Sequence, residues 1–126
     1  MSVVLVCGSR TWGLPLRIYH RLGQLADGTV IRHGGASRID RETGAELSAD
    51  MLADQAARSL GFTVEVFRPD YKRFGRAAPL RRNDRMLDED PVPVLVIAFQ
   101  RGCSSGTGYT IHGARERRID VEVHRP

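Results

Sequence analysis

The sequence is poor in the residues that staple a chain covalently or seat it in a membrane. Its two cysteines, Cys7 and Cys103, are too few for a disulfide framework. Each stands beside glycines at or after a strand-like segment, so reduced thiols are expected. Together with His33 and His112 they lack the clustering a zinc site needs, and no metal is expected. The longest apolar run, Val92 to Phe99, is too short to cross a bilayer and contains Pro93, which argues against a membrane partner. Neither a basic segment nor a long apolar one precedes the strand-like run Val3 to Val6, which predicts no signal peptide and a cytoplasmic location. Lysine is nearly absent: Lys72 is the only one among 19 basic residues, and the others are arginines. Aromatic residues make up 6% of the chain, and no basic run is interleaved with them. The net charge of +4 is therefore weak evidence for an anionic ligand and weaker evidence for nucleic acid.

What is present suits an ordinary globular domain. The 126 residues are 41% hydrophobic and 27% charged, enough to bury one core as a single domain over residues 1–126. Arginine offers a planar fork that matches phosphate and carboxylate. Val3 to Cys7 and Val94 to Phe99 are continuous apolar runs, as in strands covered on both faces. Shorter strands are predicted over Thr29 to Arg32, Phe62 to Phe67 and Ile119 to Val123. Apolar residues at helical spacing predict helices over Leu14 to Ala26 and Ala45 to Leu60, the second ended by Gly61. Further helices are expected over Ala77 to Leu87 and Thr107 to Arg117. This alternation predicts an α/β fold of Rossmann-like, doubly wound type: a mostly parallel five-stranded sheet with helices on both faces. Ligands of such sheets bind beyond the carboxyl ends of the strands, where the strand order reverses. One feature breaks the regularity, a long inserted loop over residues 34–47.

Three Gly-rich loops leave strand ends. The first is Cys7 to Trp12, where Gly8 allows close backbone approach, Ser9 offers a hydroxyl and Arg10 a charged fork. Trp12 has two readings, stacking on a base or packing in the core. The second is His33-Gly34-Gly35-Ala36, where His33 reads more readily as a structural histidine than as a catalyst. Asp50, early in the next helix, either complements the helix dipole or accepts from a ribose hydroxyl. The third is Gly102 to Gly108, in which Ser105 and Thr107 cap a helix, donate to a phosphate, or both, and Gly106 allows close backbone approach. A fourth segment, Gly75 to Leu87, carries Arg82-Asn83 on a helix whose apolar members turn inward.

Taken in order, these motifs resemble the SLOG superfamily, in its YspA-like and YpsA-like branch. The matching stretches are Gly8-Ser9-Arg10, His33 to Ala36 with Ser48-Ala49-Asp50, Phe67 to Tyr71, Gly75 to Leu87, Ala98-Phe99 with Gly102 to Thr107, and Ala114 to Val123. They span essentially the whole chain. The resemblance implies a Rossmann-like fold that binds a nucleotide such as NAD, ADP-ribose or a nucleoside monophosphate like AMP, the only cofactor-like group expected. It also implies a homo-oligomer, dimer or tetramer. By this reading Gly8, Gly34, Gly35 and Ala36, Gly102 and Gly106 admit the ligand, while Ser9, Ser105 and Thr107 bind phosphate oxygens. Arg10 and Arg82 neutralise charge, and Asp50 and Asn83 hold the ribose. The superfamily also holds the Lonely Guy phosphoribohydrolases, whose PGGxGTxxE motif carries a catalytic Glu. Here Gly106-Thr107 is followed by Gly108-Tyr109-Thr110 with no carboxylate, and Glu116 is too far along the helix. The primary expectation is thus a binding or sensing domain, no catalytic residue is assigned, and an N-glycosidase is the alternative. Nucleic-acid binding, by analogy to the DNA-processing protein A relatives, ranks third. The insertion between Ala36 and Ser48 divides a stretch that is continuous in the family, and a lid or an oligomer contact is expected of it.

Overall fold

The computed structural model describes residues Met1–Pro126. Five strands, β1 (Val3–Gly8), β2 (Val30–His33), β3 (Thr63–Val66), β4 (Leu95–Phe99) and β5 (Asp120–His124), form one sheet in the order β3-β2-β1-β4-β5. Every pairing is parallel, so the sheet is wholly rather than mostly parallel. The helices are α1 (Pro15–Leu22), α2 (Ala49–Ser59), the single turn α3 (Tyr71–Phe74), α4 (Ala78–Asp88) and α5 (Ser105–Glu116), with a 3-10 turn over Gly75–Ala77 leading into α4. No helix is long and apolar enough to cross a membrane.

The central strands are apolar because both of their faces are covered. Val4, Val6, Ile31, Ile97 and Phe99 pack on one face with Ile18 and Leu22 of α1 and Leu52, Ala53 and Ala56 of α2. Leu5, Cys7, Val96 and Ala98 pack on the other with Met86 and Leu87 of α4 and Ile111 and Ala114 of α5. The winding therefore reverses between β1 and β4, and the fold is a Rossmann-like, doubly wound α/β domain. The reversal leaves a gap above the paired ends of these strands, Gly8 and Phe99.

Arg32 is a charged residue in this core. Its side chain is fully buried beneath α4, over the ring of Phe67. Nη1 donates to the carbonyls of Met86 (2.8 Å) and Glu89 (3.1 Å), Nη2 to Pro91 (3.2 Å), and Nε to the Glu65 carboxylate (3.0 Å). The cation thus meets the carbonyl-rich end of α4, where the helix dipole favours it.

Several elements differ from the sequence expectation. Helix α1 ends at Leu22 rather than Ala26, because the N–H groups of Gln24 and Leu25 turn to the carbonyls of Arg21 and Leu22 in a tighter turn, and α3 falls where no helix was expected. Helix α2 starts at Ala49 rather than Ala45, because Ser48 is extended (φ −66°, ψ 133°) and the preceding residues close a small hairpin. That hairpin is the inserted segment 34–47. Ile39 and Glu46 bridge antiparallel, Asp40 N–H donates to Ala45 O (2.8 Å), and Leu47 N–H donates to Arg38 O (2.8 Å). The Glu46 carboxylate sits inside, accepting from the Ser37 hydroxyl and from the N–H groups of Arg38 (2.8 Å), Leu47 (3.1 Å) and Ser48 (3.0 Å). Partial burial would raise its pKa, but these bonds outweigh burial and hold it below the usual carboxylate value. The segment expected to be irregular is an ordered hairpin around one half-buried carboxylate. Its stem closes tightly: Ser48 Oγ donates to Ala36 O (2.6 Å), and Ala36 N–H donates to Asp50 Oδ2 (3.1 Å).

Candidate functional site

A cleft of about 340 Å³ opens above the ends of β1 and β4. Its walls come from the β1 loop (Gly8 to Thr11), the start of α2 with Asp50, the middle of α4 with Arg82 and Asn83, and the loop into α5 from Arg101 to Thr107. These elements are far apart in sequence, and the reversal of strand order alone brings them together.

The start of α5 forms one wall. Ser104 is its N-cap: Ser104 Oγ accepts from Thr107 N–H (3.4 Å) and pairs with Thr107 Oγ1 (2.9 Å). The N–H groups of Ser105 and Gly106 have no partner within the protein, and the first turn carries no acidic side chain. Such a helix start attracts anions through its free donors and its dipole. Gly106 sharpens the point. A methyl group there would meet no protein atom within 4 Å, so no packing demands a residue that costs a helix roughly 0.5–1 kcal/mol relative to Ala.

Three arginines surround the cleft and one carboxylate faces them. Arg10 is exposed and makes no hydrogen bond or ion pair, and the N–H groups of Arg10 and Thr11 are also without partners. Arg101 reaches Thr11 O with Nη1 (3.0 Å). Arg82 is half anchored: Nη1 donates to Gly34 O and to Phe67 O (3.2 Å), at the ends of β2 and β3, and Nε donates to Asn83 Oδ1 (2.8 Å). Its Nη2 has no protein partner. Burial lowers the Arg82 pKa and the nearby Arg10 adds to this, while Asp50 opposes it. The guanidinium still carries its charge at neutral pH. Asp50 lies on the cleft floor, where burial pushes its carboxyl above the usual range against the Ala36 N–H bond and Arg82. Beside it, burial also pushes the Cys7 thiol up, so Cys7 is an inert thiol. The cleft is thus a positive, donor-rich concavity with a single acidic group.

The structure distributes the sequence-predicted residues unevenly. Gly8, Ser9, Arg10, Ala36, Asp50, Arg82, Asn83, Ser105, Gly106 and Thr107 line the cleft. Within it Ser9 works mainly as a clasp, since its hydroxyl donates to Arg101 O (3.2 Å) and accepts from Arg101 N–H (2.8 Å), joining the β1 and β4 loops. Gly8 is needed by the protein itself: a Cβ there would collide with the Phe99 carbonyl and lie 2.6 Å from Ala49 Cβ, where α2 presses on the end of β1. Gly34 and Gly35 line a second pocket of about 320 Å³, shared with Arg68, Tyr71 and Pro79 and joined to the cleft through Arg10, Ala36 and Arg82. The Arg82 guanidinium occupies the space a Gly34 side chain would fill.

Three residues lie away from the cleft. Trp12 is 1% exposed, packed on Phe99 with ring centroids 5.3 Å apart, and its indole N–H donates to Leu14 O (3.0 Å), so it is not a stacking platform. His33 is fully buried. Gly35 N–H donates to its Nδ1 (3.0 Å), which leaves Nε2–H to donate to Asp54 (3.2 Å), itself paired with Arg58. Gly102 is an exposed turn residue at positive φ (65°) outside the lining. Conversely, Arg101, Ser104 and Thr110 line the cleft without having been singled out in the sequence. For Ser104 the signal was available, as a serine three residues before Thr107 at a helix start. For Arg101 there was none, because one arginine among so many carries no pattern.

No group of three or more His, Cys, Asp or Glu side chains comes together that could hold a metal ion. Among known proteins, no family model matches the chain, and no curated protein is similar to it at a significant level.

Proposed function

We propose that this chain is a binding or sensing domain of SLOG type for a phosphate-bearing nucleotide derivative, of the NAD, ADP-ribose or nucleoside monophosphate kind, held in the cleft at the sheet's switch point. The observation that carries the reading is the pairing of unfilled donors with cations that outnumber the one acid. Ser105 and Gly106 present free N–H groups at the start of α5, and Arg10, Arg82 and Arg101 surround them with only Asp50 in opposition. A phosphoryl group satisfies both. Asp50 and the free amide of Asn83 are the groups suited to ribose hydroxyls, and Tyr71 with Pro69 and Pro79 offers flat surfaces to a base in the adjoining pocket. Calorimetric titration with AMP, ADP, ATP, NAD and ADP-ribose tests this. Saturable binding of at least one member, weakened by added salt, is the expected result. No heat at millimolar ligand for any member refutes it.

One observation favours a second reading, an N-glycosidase of phosphoribohydrolase type. The Asp50 carboxyl, with its raised pKa, lies in the cleft where an acid or base would have to act. Against it, no carboxylate stands on the first turns of α5, and Glu116 lies at the far end of that helix, beside His112. Release of free base from AMP or NAD, followed by chromatography, separates the two readings. The proposal includes a cytoplasmic homo-oligomer, with Leu16 and Tyr19 exposed on α1 as a contact surface, and native mass spectrometry reads the assembly directly.

A further inference from the structure

The inserted hairpin brings two cations of its own to a space beside the cleft. Beside the cleft lies a second concavity of about 540 Å³, lined by Ser37, Arg38, Ile39, Asp40, Arg41 and Leu47 together with Arg10. Arg10 also lines the cleft, so the two spaces meet at that side chain. Three arginines therefore border one concavity, and none of them is in an ion pair or donates a side-chain hydrogen bond. None of the nearby acids is in an ion pair with them, although the Asp40 carboxylate lines the same concavity. Glu46 is turned inward and committed to four donors of the hairpin. Asp40 Oδ1 accepts from the N–H groups of Glu42 (2.9 Å) and Thr43 (3.4 Å) in its own turn, and Glu42 pairs with none of the three. The hairpin is thus ordered by one half-buried carboxylate, while Arg38 and Arg41 stay unpaired in the concavity they share with Arg10.

We infer that the hairpin adds a second anion subsite, built from Arg10, Arg38 and Arg41, which selects ligands carrying a further phosphoryl group beyond the one held at the start of α5. The inference rests on the nucleotide reading above and narrows it to ligands such as nucleoside di- and triphosphates or pyrophosphate-bridged dinucleotides. Arginine suits the task because its fork grips phosphate oxygens in pairs without losing charge. Arg10, at the junction, reaches toward both groups.

The test compares ligands that share an adenosine monophosphate portion and differ in the second phosphoryl group. Wild type and the double variant R38S/R41S are titrated with AMP, ADP, ATP and NAD at low and moderate salt. Both side chains are exposed and bond to nothing, so the variant's melting temperature should match wild type. Wild type is expected to bind at least one of ADP, ATP or NAD roughly tenfold more tightly than AMP. The variant should lose that margin while its AMP affinity stays unchanged. A margin that survives the double substitution, or AMP as the tightest ligand, overturns the subsite and leaves the binding domain standing. Absence of binding by all four overturns both. Tight binding of an oligothymidylate, lost in the variant and without any nucleotide bound, overturns the inference in favour of a nucleic-acid surface.

Discussion

Gly106→Ala sets stability and binding against each other. In the protein alone the substitution should be favourable. The position is helical, in the first turn of α5, and a Cβ there meets nothing within 4 Å. Replacing a helical glycine by alanine gains about 0.5–1 kcal/mol. With an unfolding entropy near 2.1 cal/mol/K per residue, a chain of 126 residues should melt about 2–4 °C higher. Helical Cβ atoms lean toward the helix N-terminus, so the added methyl projects toward the cleft where an anion must approach the Ser105 and Gly106 N–H groups. Nucleotide affinity should fall by about tenfold or more, roughly 1.4 kcal/mol. Differential scanning fluorimetry and calorimetric titration on the same preparation read both quantities. A G106A protein that is more stable and binds as tightly as wild type would show that the open space at this helix start is not the anion site. A protein that is less stable would show that the glycine answers a backbone need.

Further expectations follow from other parts of the molecule. Arg32→Met keeps the apolar stem but strips four acceptors of their donor, three of them carbonyls at the end of α4 and the turn after it, and should cost about 3 kcal/mol in urea unfolding; Arg32→Lys should rescue little, since one ammonium cannot span that fork. Asp50→Asn keeps an oxygen for Ala36 N–H, so the fold should survive, but nucleotide affinity should drop severalfold while inorganic phosphate binds at least as well; equal loss of both probes would contradict a ribose role. Glu122 is held at about 2 by its bidentate bond from Arg21 (2.6 and 3.0 Å), with His124 assisting. Its folded pKa lies below the unfolded value, so its contribution is complete above about 4.5 and disappears as pH falls through about 2. Discounted for solvent exposure, Glu122→Gln should destabilise by about 1 kcal/mol at pH 7 and by nothing near pH 2, and a pH-independent difference would contradict the ion-pair account.

The layout of the fold was legible because the two central strands are covered on both faces. A continuous run such as Val3 to Val6 has few other uses in a chain with no helix long and apolar enough to cross a membrane. The start of α2 was misplaced because Ala45 and Leu47 continue its apolar rhythm, whereas Ser48 and the Glu46-centred hairpin interrupt it in space. The turn α3 left no periodic trace, being four residues with nothing buried. Much of the cleft lining was readable from glycines and serines at strand ends. What those glycines face was not. Gly8 answers to Ala49 and Phe99, and Gly34 to Arg82, contacts made by residues distant in sequence. Trp12 and His33 illustrate the same limit, since a polar or aromatic residue at a strand end looks identical in sequence whether it points up into a cleft or down into the core.

The closed stem of the hairpin makes residues 37–46 a module, whereas Leu47 is tied to the rest of the fold, its carbonyl accepting from Gly13 N–H (2.9 Å). Ala36 and Ser48–Asp50 are held against each other by two bonds that do not involve the hairpin's tip, and Ala49 N–H is fixed separately to Ser9 O (3.0 Å). The span between those anchors can lengthen or shorten while the start of α2 stays in place, and chain-closure entropy changes by only about 0.6 kcal/mol for each doubling of length. The position is therefore a natural port for grafting. Recognition loops, reporter peptides or a bare glycine linker placed there would stand at the concavity bordered by Arg10, while the sheet and its helices are left alone.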